Sequence, residues 1–299
     1  MILGISVNCF QGLNLAECVD ILLNIGNKVN FGAIELRLEE DSRNPSVWYN
    51  SVSPELEVFL NSFKAIGAHL PLNQINLISN NPHRRSGSIN KMIQGLEIAE
   101  ALNADYCVMH ARGSKVCVSS SAVANEWEDV ISTLTQCAED RSLLLLVENA
   151  DSITNLQTLM RIVKSIDSKS LKITLDIGHA HIRELFVPTG LVAGLKGFAL
   201  KGKDFLVGDL YRSSRNMPYE EYGSVSNFIS RESQLIKNIH IHDYNGRKDH
   251  LPLGSGYIDY SFLSMLNQIY HGPCIIETFS QKPYLDLLQS YSTLAGVVR

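Results

Sequence analysis

The chain has 299 residues, 45% of them hydrophobic and 19% charged, with a formal net charge of −5. Those proportions belong to an ordinary globular protein, and the acidic balance argues against one whose main task is gripping a nucleic-acid backbone. The six cysteines are scattered without a CxxC pair, which points to free thiols in a reducing, cytoplasmic compartment rather than to a disulfide framework.

The opening stretch "MILGISVNCFQG" has no basic flank and no long apolar segment, so it reads as a first strand and not as a signal peptide. No stretch approaches about 18 continuous apolar residues, and no membrane span is expected. Short apolar runs then recur along the chain: "ILGISV" (2–7), "GAIELRL" (32–38), "IGAHLPL" (66–72), "DYCVMH" (105–110), "LLLLVEN" (143–149), "LKITLDIGH" (171–179), "IKNIHIHD" (236–243) and "PCIIET" (273–278). Helical patterns separate them. Ile89, Met92, Ile93, Leu96, Ala99 and Leu102 recur at helical spacing in 88–103. Ser152 is placed to cap a helix over 152–166, and 257–270 and 283–298 carry similar apolar stripes.

Strand-then-helix alternation predicts a parallel sheet. Eight such units in this length predict a single (β/α)8 TIM-barrel domain over 1–299, because closure removes the sheet edges. An open doubly wound sheet is the alternative, but the first strand-to-helix turn, "SVNCFQGLN", lacks the GxGxxG phosphate cradle. One segment breaks the rhythm. Residues 183–232, between strands six and seven, exceed what a simple βα unit needs and read as an insertion over one barrel face, a lid or a peripheral excursion alike.

The polar residues at the ends of the runs carry the chemistry. His69, His110, Glu148, Asp176 with His179 and His181, then His240, His242 and Asp243 with Asp249 and His250, and finally Glu277 stand at or just beyond six consecutive strand ends. In a barrel those ends converge on one mouth. Each alone reads as a solvated or hydrogen-bonded strand end. Together, three carboxylates in one small mouth repel unless a cation lies between them, and mixed carboxylate and imidazole donors suit zinc, manganese, iron or cobalt better than calcium. His240 and His242 alternate with Ile239 and Ile241, so both face one side of their strand; either one fits as a ligand, with Asp243 orienting an imidazole from behind.

At these residues the chain resembles the xylose isomerase-like TIM-barrel superfamily, which holds sugar isomerases and epimerases together with endonuclease IV-type apurinic-site nucleases. The resemblance runs from roughly residue 66 to 280, on "GAHLPLNQINLIS", "SINKMIQGLEIAEALNADYCVMHARG", "LVENADS", "LDIGHAHI", "HIHDYNGRKDHLPLGSGYID" and "IIET". It implies a metal quartet of Glu148, Asp176, His240 and Glu277, with His240 preferred over His242 on the His-x-x-Asp pattern it makes with Asp243. In the nuclease branch it implies His69 and His110 as further ligands, Glu148 as a bridge, and His179 and His250 on a third metal. The aspartate that branch places two residues before the last histidine is Lys248 here, followed by Asp249. In the sugar branch it implies that Glu148 and Glu277 shuttle a proton through a metal-stabilised enediolate while His179 touches substrate oxygens.

The leading expectation is therefore a divalent-metal-dependent isomerase or epimerase acting on a small carbohydrate or sugar phosphate. The rival is a zinc phosphodiesterase cutting abasic DNA, for which the basic stretches "RRS" (84–86), "ARGSK" (111–115) and "GRK" (246–248) are the candidate phosphate contacts. A third reading is a barrel that binds sugar without catalysis. A homo-oligomer is compatible with all three.

Overall fold

The eight apolar runs become eight parallel strands, paired in chain order into a closed barrel. A computed structural model describes residues 1–10, 13, 15–25, 29–39, 54–113, 121–151, 156–186, 225–279 and 282–298. The strands are β1 (Ile2–Ser6), β2 (Ala33–Arg37), β3 (Ala65–His69), β4 (Tyr106–His110), β5 (Leu144–Glu148), β6 (Leu171–Asp176), β7 (Ile236–Ile241) and β8 (Pro273–Ile276). Pairing of β1 with β8 closes the ring and eliminates the open sheet. Around it stand α1 (Leu15–Ile25), α2 (Pro54–Leu60), α3 (Pro82–Ala101), α4 (Ser121–Glu139), α5 (Leu156–Ile166), α6 (Ile177–Phe186), α7 (Val225–Glu232), α8 (Leu263–Ile269) and α9 (Pro283–Val298).

The core lies between barrel and helices. The inner face of α5 buries Leu156, Leu159, Met160, Ile162 and Val163, and Trp127 of α4 is fully enclosed. Burial of such side chains contributes about 1.5–3 kcal/mol each, and this apolar shell is what stabilises the fold. Among the described residues no helix is long and apolar enough to cross a membrane.

Three boundaries differ from the sequence reading. Helix α3 starts at Pro82 rather than 88 because Asn81 caps it, accepting from the Arg84 N–H at 3.2 Å, and Pro82 occupies the first turn. Helix α8 starts at Leu263 rather than 257 because the preceding residues are tied to the segment 242–244 that follows β7. The Tyr257 N–H donates to the Tyr244 carbonyl, the Ile258 N–H to Asp243, and the Tyr260 hydroxyl to the His242 carbonyl. The insertion expected over 183–232 is helical at both ends, in α6 and α7; residues 187–224 lie outside the described residues, as does the expected cap Ser152.

Register decides which side chains meet at the mouth. His110 stands opposite Glu148 across β4 and β5. Between β6 and β7 the register shifts after Ile173, so that Ile173 pairs with Ile236 but Thr174 with Asn238. That one-residue shift sets Asp176 opposite His240 rather than Ile239, since a strand slipped by one residue presents its other face.

Below the mouth the barrel interior holds a polar layer of Glu35, Tyr106, Thr174 and Asn238, all buried. The Tyr106 ring reaches across through the space at Gly67, where an added Cβ would come within 2.4 Å of the ring. Gly67→Ala should therefore overpack this layer and destabilise the protein by about 1–3 kcal/mol. Chemical denaturation checks it; an unchanged midpoint would contradict the packing.

Candidate metal centre

The expected strand-end residues converge in three linked groups. His69, His110 and Glu148 bring ligand atoms within 4.8 Å of one another, as do Glu148, Asp176 and His240, and as do Asp176, His179, His242 and His250. Glu148 links the first two groups and Asp176 the last two. Glu277 joins through His240, whose Nδ1 lies 3.0 Å from Glu277 Oε2 and 3.2 Å from Glu148 Oε2.

The other nitrogen of each ring shows how the ring is oriented. His69 Nδ1 lies 3.0 Å from the Leu70 carbonyl, which can only accept, so Nδ1 carries the proton and Nε2 faces the mouth. His110 Nδ1 lies 3.0 Å from Asp151 Oδ2, leaving Nε2 3.1 Å from Glu148. His240 Nε2 donates to Glu35 at 3.0 Å, leaving Nδ1 to the carboxylates. His242 is the exception. Its Nδ1 accepts the His250 backbone N–H at 2.9 Å, so in the neutral ring Nε2 is the donor, 3.2 Å from Asp176 Oδ1. The two histidines of "IHIH" thus divide: His240 faces Glu148 and Glu277, and His242 steadies Asp176.

Asp243 does not orient an imidazole with its carboxylate. Its Oδ1 accepts from the N–H groups of Tyr244 and Ile258 and its Oδ2 from those of Gly254 and Gly256, at 2.7 to 3.2 Å. The carboxylate thereby folds the loop that carries His250, whose ring stacks between His242 and Phe279. Lys248 is exposed on that loop, and Asp249 instead brings a carboxylate within 3.4 Å of His250 Nδ1. His181 points away to stack on Phe262.

Several contributors escaped the sequence reading. Asn149 clips two strand ends together: it donates to the Asp176 carbonyl and accepts the Asp176 N–H. Asn8 donates to Glu277 Oε1 at 2.8 Å. Asp151 lies within the quoted "LVENADS" and supports His110. Glu35 lies on β2, whose strand end drew no attention.

Electrostatics tests whether a cation fits. Burial alone would raise the Glu148 and Glu277 carboxyls, but imidazole charge, from His110 and His240 on the one and His240 on the other, holds both well below the ordinary range. Burial likewise disfavours charge on His110 and His179, yet the facing carboxylates raise them to about 10 and about 9. Glu148 Oε1, Asp176 Oδ2, His179 Nδ1, His240 Nδ1 and His250 Nδ1 are buried without a hydrogen-bond partner among the described residues. Buried polar atoms are rarely left so. Mixed oxygen and nitrogen donors drawn together in these linked groups fit a divalent transition metal.

Comparison with known proteins agrees with this architecture. The xylose isomerase-like TIM-barrel family matches over residues 23–294. The chain belongs to that family. An uncharacterised protein of Methanocaldococcus jannaschii is 26% identical over 226 residues, covering 71% of this chain. The chain spans 64% of the length of that curated relative. Among solved structures, a D-tagatose 3-epimerase-like protein superposes with a TM-score of 0.67 and 22% identity over 100% of both chains. An L-ribulose 3-epimerase gives 0.71 and 13% over 99% of this chain and 94% of its own. The IolI protein with a bound zinc atom gives 0.67 and 15% over 100% and 98%. These likenesses carry the xylose isomerase-like fold.

A pH dependence follows for the metal-free protein. His110 and His179 are raised from 6.5 to about 10 and about 9, so their contribution is complete below 6.5 and is lost as pH rises through those values. The thermal midpoint of chelator-treated protein should fall between pH 7 and 9, and excess zinc should flatten the fall because a cation replaces the protons. Melts at constant ionic strength check this; a flat or rising midpoint without metal would contradict it.

Proposed function

We propose that the protein is a divalent-metal-dependent isomerase or epimerase of sugars or sugar phosphates. The observation that carries this reading is the placement of Glu148 and Glu277, two buried carboxylates within 3.2 Å of the same His240 nitrogen. A divalent cation held by Glu148, Asp176, His240 and Glu277 would supply the Lewis acid that acidifies a C–H beside a carbonyl. Zinc, manganese, iron and cobalt all suit this donor set.

The chain's own groups then divide the proton work. Glu277 is fixed through Oε1 by Asn8, so its other oxygen has a defined direction. Glu148 enters from the neighbouring side. One takes the proton from carbon and the other returns it. His179 Nδ1 lies 3.5 Å from both Glu148 Oε1 and Asp176 Oδ2, and its side chain is 20% exposed where Glu148 is sealed. It is therefore within reach of substrate, to hold a hydroxyl or carbonyl oxygen. The two ketose 3-epimerase names among the structural relatives support this substrate class.

A second reading has its own observation. The group of His69, His110 and Glu148 offers a place for another cation, as a multinuclear phosphodiesterase needs. The acidic chain weighs against a DNA substrate.

Two experiments test the proposal. Metal-loaded wild type should incorporate solvent deuterium beside the carbonyl of at least one member of a ketose and ketose-phosphate panel. Glu277→Gln should retain metal but slow the exchange by at least about 100-fold, the scale of general acid–base catalysis. Exchange unaffected by the substitution, or absent from the whole panel, would contradict the reading. Nicking of an abasic duplex at catalytic concentrations would favour the phosphodiesterase. Separately, Glu148→Ala and Asp176→Ala should each purify folded with their principal metal lost; full metal content in both would refute the ligand assignment.

A further inference from the structure

We infer that Glu35, a residue remote from the strand ends, is the positioning residue of the metal centre: its buried hydrogen bond to His240 Nε2 fixes which ring nitrogen faces the carboxylates. The inference rests on the proposed metal-dependent reading. Glu35 projects from the middle of β2 into the barrel, where it is fully buried. A carboxylate enclosed there needs hydrogen-bond donors in place of the water it has lost. Its Oε2 accepts from His240 Nε2 and Asn238 Nδ2, each at 3.0 Å, and from the Tyr106 hydroxyl at 3.4 Å.

The His240 bond is the one that bears on the mouth. A carboxylate can only accept, so it keeps a proton on Nε2; Nδ1 then faces Glu148 and Glu277 as a donor in the metal-free protein and is the nitrogen whose lone pair a cation would take on losing that proton. Without that acceptor, nothing else among the described residues is hydrogen-bonded to Nε2, and the ring could rotate or exchange its tautomer. Asn238 completes the device. It stands two residues before His240 on the same face of β7 and ties Glu35 to Thr174 of β6. Glu35 lies behind the imidazole and reaches no substrate. It acts through His240, in the way that carboxylate partners orient metal-bound histidines generally.

The test compares zinc affinity, by competition with a chromophoric chelator, in wild type, Glu35→Met, Glu35→Gln and Tyr106→Phe. Glu35→Met removes the acceptor and should weaken zinc binding by about 10- to 100-fold. Glu35→Gln keeps an acceptor oxygen but not the charge, and should fall between Glu35→Met and wild type. Its His240 Nε2–H resonance, followed in zinc-loaded protein with 15N-labelled histidine, should move upfield as the hydrogen bond weakens. Tyr106→Phe strips a donor from the same oxygen without touching His240, and should bind zinc as wild type does. Unchanged affinity and resonance in Glu35→Gln would overturn the inference, whether or not Glu35→Met folds, and leave the metal-dependent reading standing. Equal losses in Tyr106→Phe and Glu35→Gln would also overturn it, by reducing the effect to a loosened core. Wild type that binds no zinc would overturn both.

Discussion

The structure is organised around one electrostatic demand: Glu148, Asp176 and Glu277, all buried, repel one another unless positive charge lies among them. Like charges at such separations in a poorly screened site cannot all ionise unaided. In the metal-free protein, protons on His110, His179 and His240 meet the demand, which is why those rings are raised while His69 and His250, disfavoured first by burial and then by neighbouring imidazoles, are lowered. A divalent cation would meet it with fewer groups and would release the protons. The arrangement is therefore poor as a source of stability and well suited to holding metal. Exposed pairs such as Lys164 with Glu232 contribute about 0–1 kcal/mol; the apolar shell between helices and strands must sustain the mouth.

Closure of the barrel turns this demand into geometry. Six consecutive strands end in the same opening, and the shifted register between β6 and β7 sets His240 beside Asp176. The loop after β7 is then folded by a single carboxylate, Asp243, through four backbone N–H groups. That loop returns the His250 N–H to His242. Backbone, loop and second-layer carboxylate each specify a ring nitrogen, so the mouth is pre-organised without any ligand.

Much of this was legible in the sequence, for a physical reason. Strands buried on both faces appear as continuous apolar runs, and the polar residue ending each run stands out against them. The eight runs and the residues from His69 to Glu277 were found that way. Choices needing partners distant in sequence were not decided. His240 and His242 share one face of β7, and only contacts to Glu148, Glu277 and Asp176 distinguish them. Glu35 was missed because it sits inside "GAIELRL" rather than at its end, and its partner His240 is 205 residues away. Asp243 looked like an imidazole partner because the His-x-x-Asp spacing says nothing about the loop N–H groups that claim its oxygens. Helix α8 starts later than the apolar periodicity of 257–262 suggests because Ile258 and Tyr260 are buried loop residues hydrogen-bonded to Asp243 and His242, just beyond β7.

The central claim is that the groups sharing Glu148 and Asp176 enclose a cation. Crystals soaked in zinc and measured on both sides of the zinc absorption edge test it most directly. The account predicts an anomalous peak in contact with Glu148, Asp176, His240 and Glu277, with Glu35 still bonded to the far nitrogen of His240. A mouth without a peak, or zinc bound only elsewhere on the molecule, would contradict it.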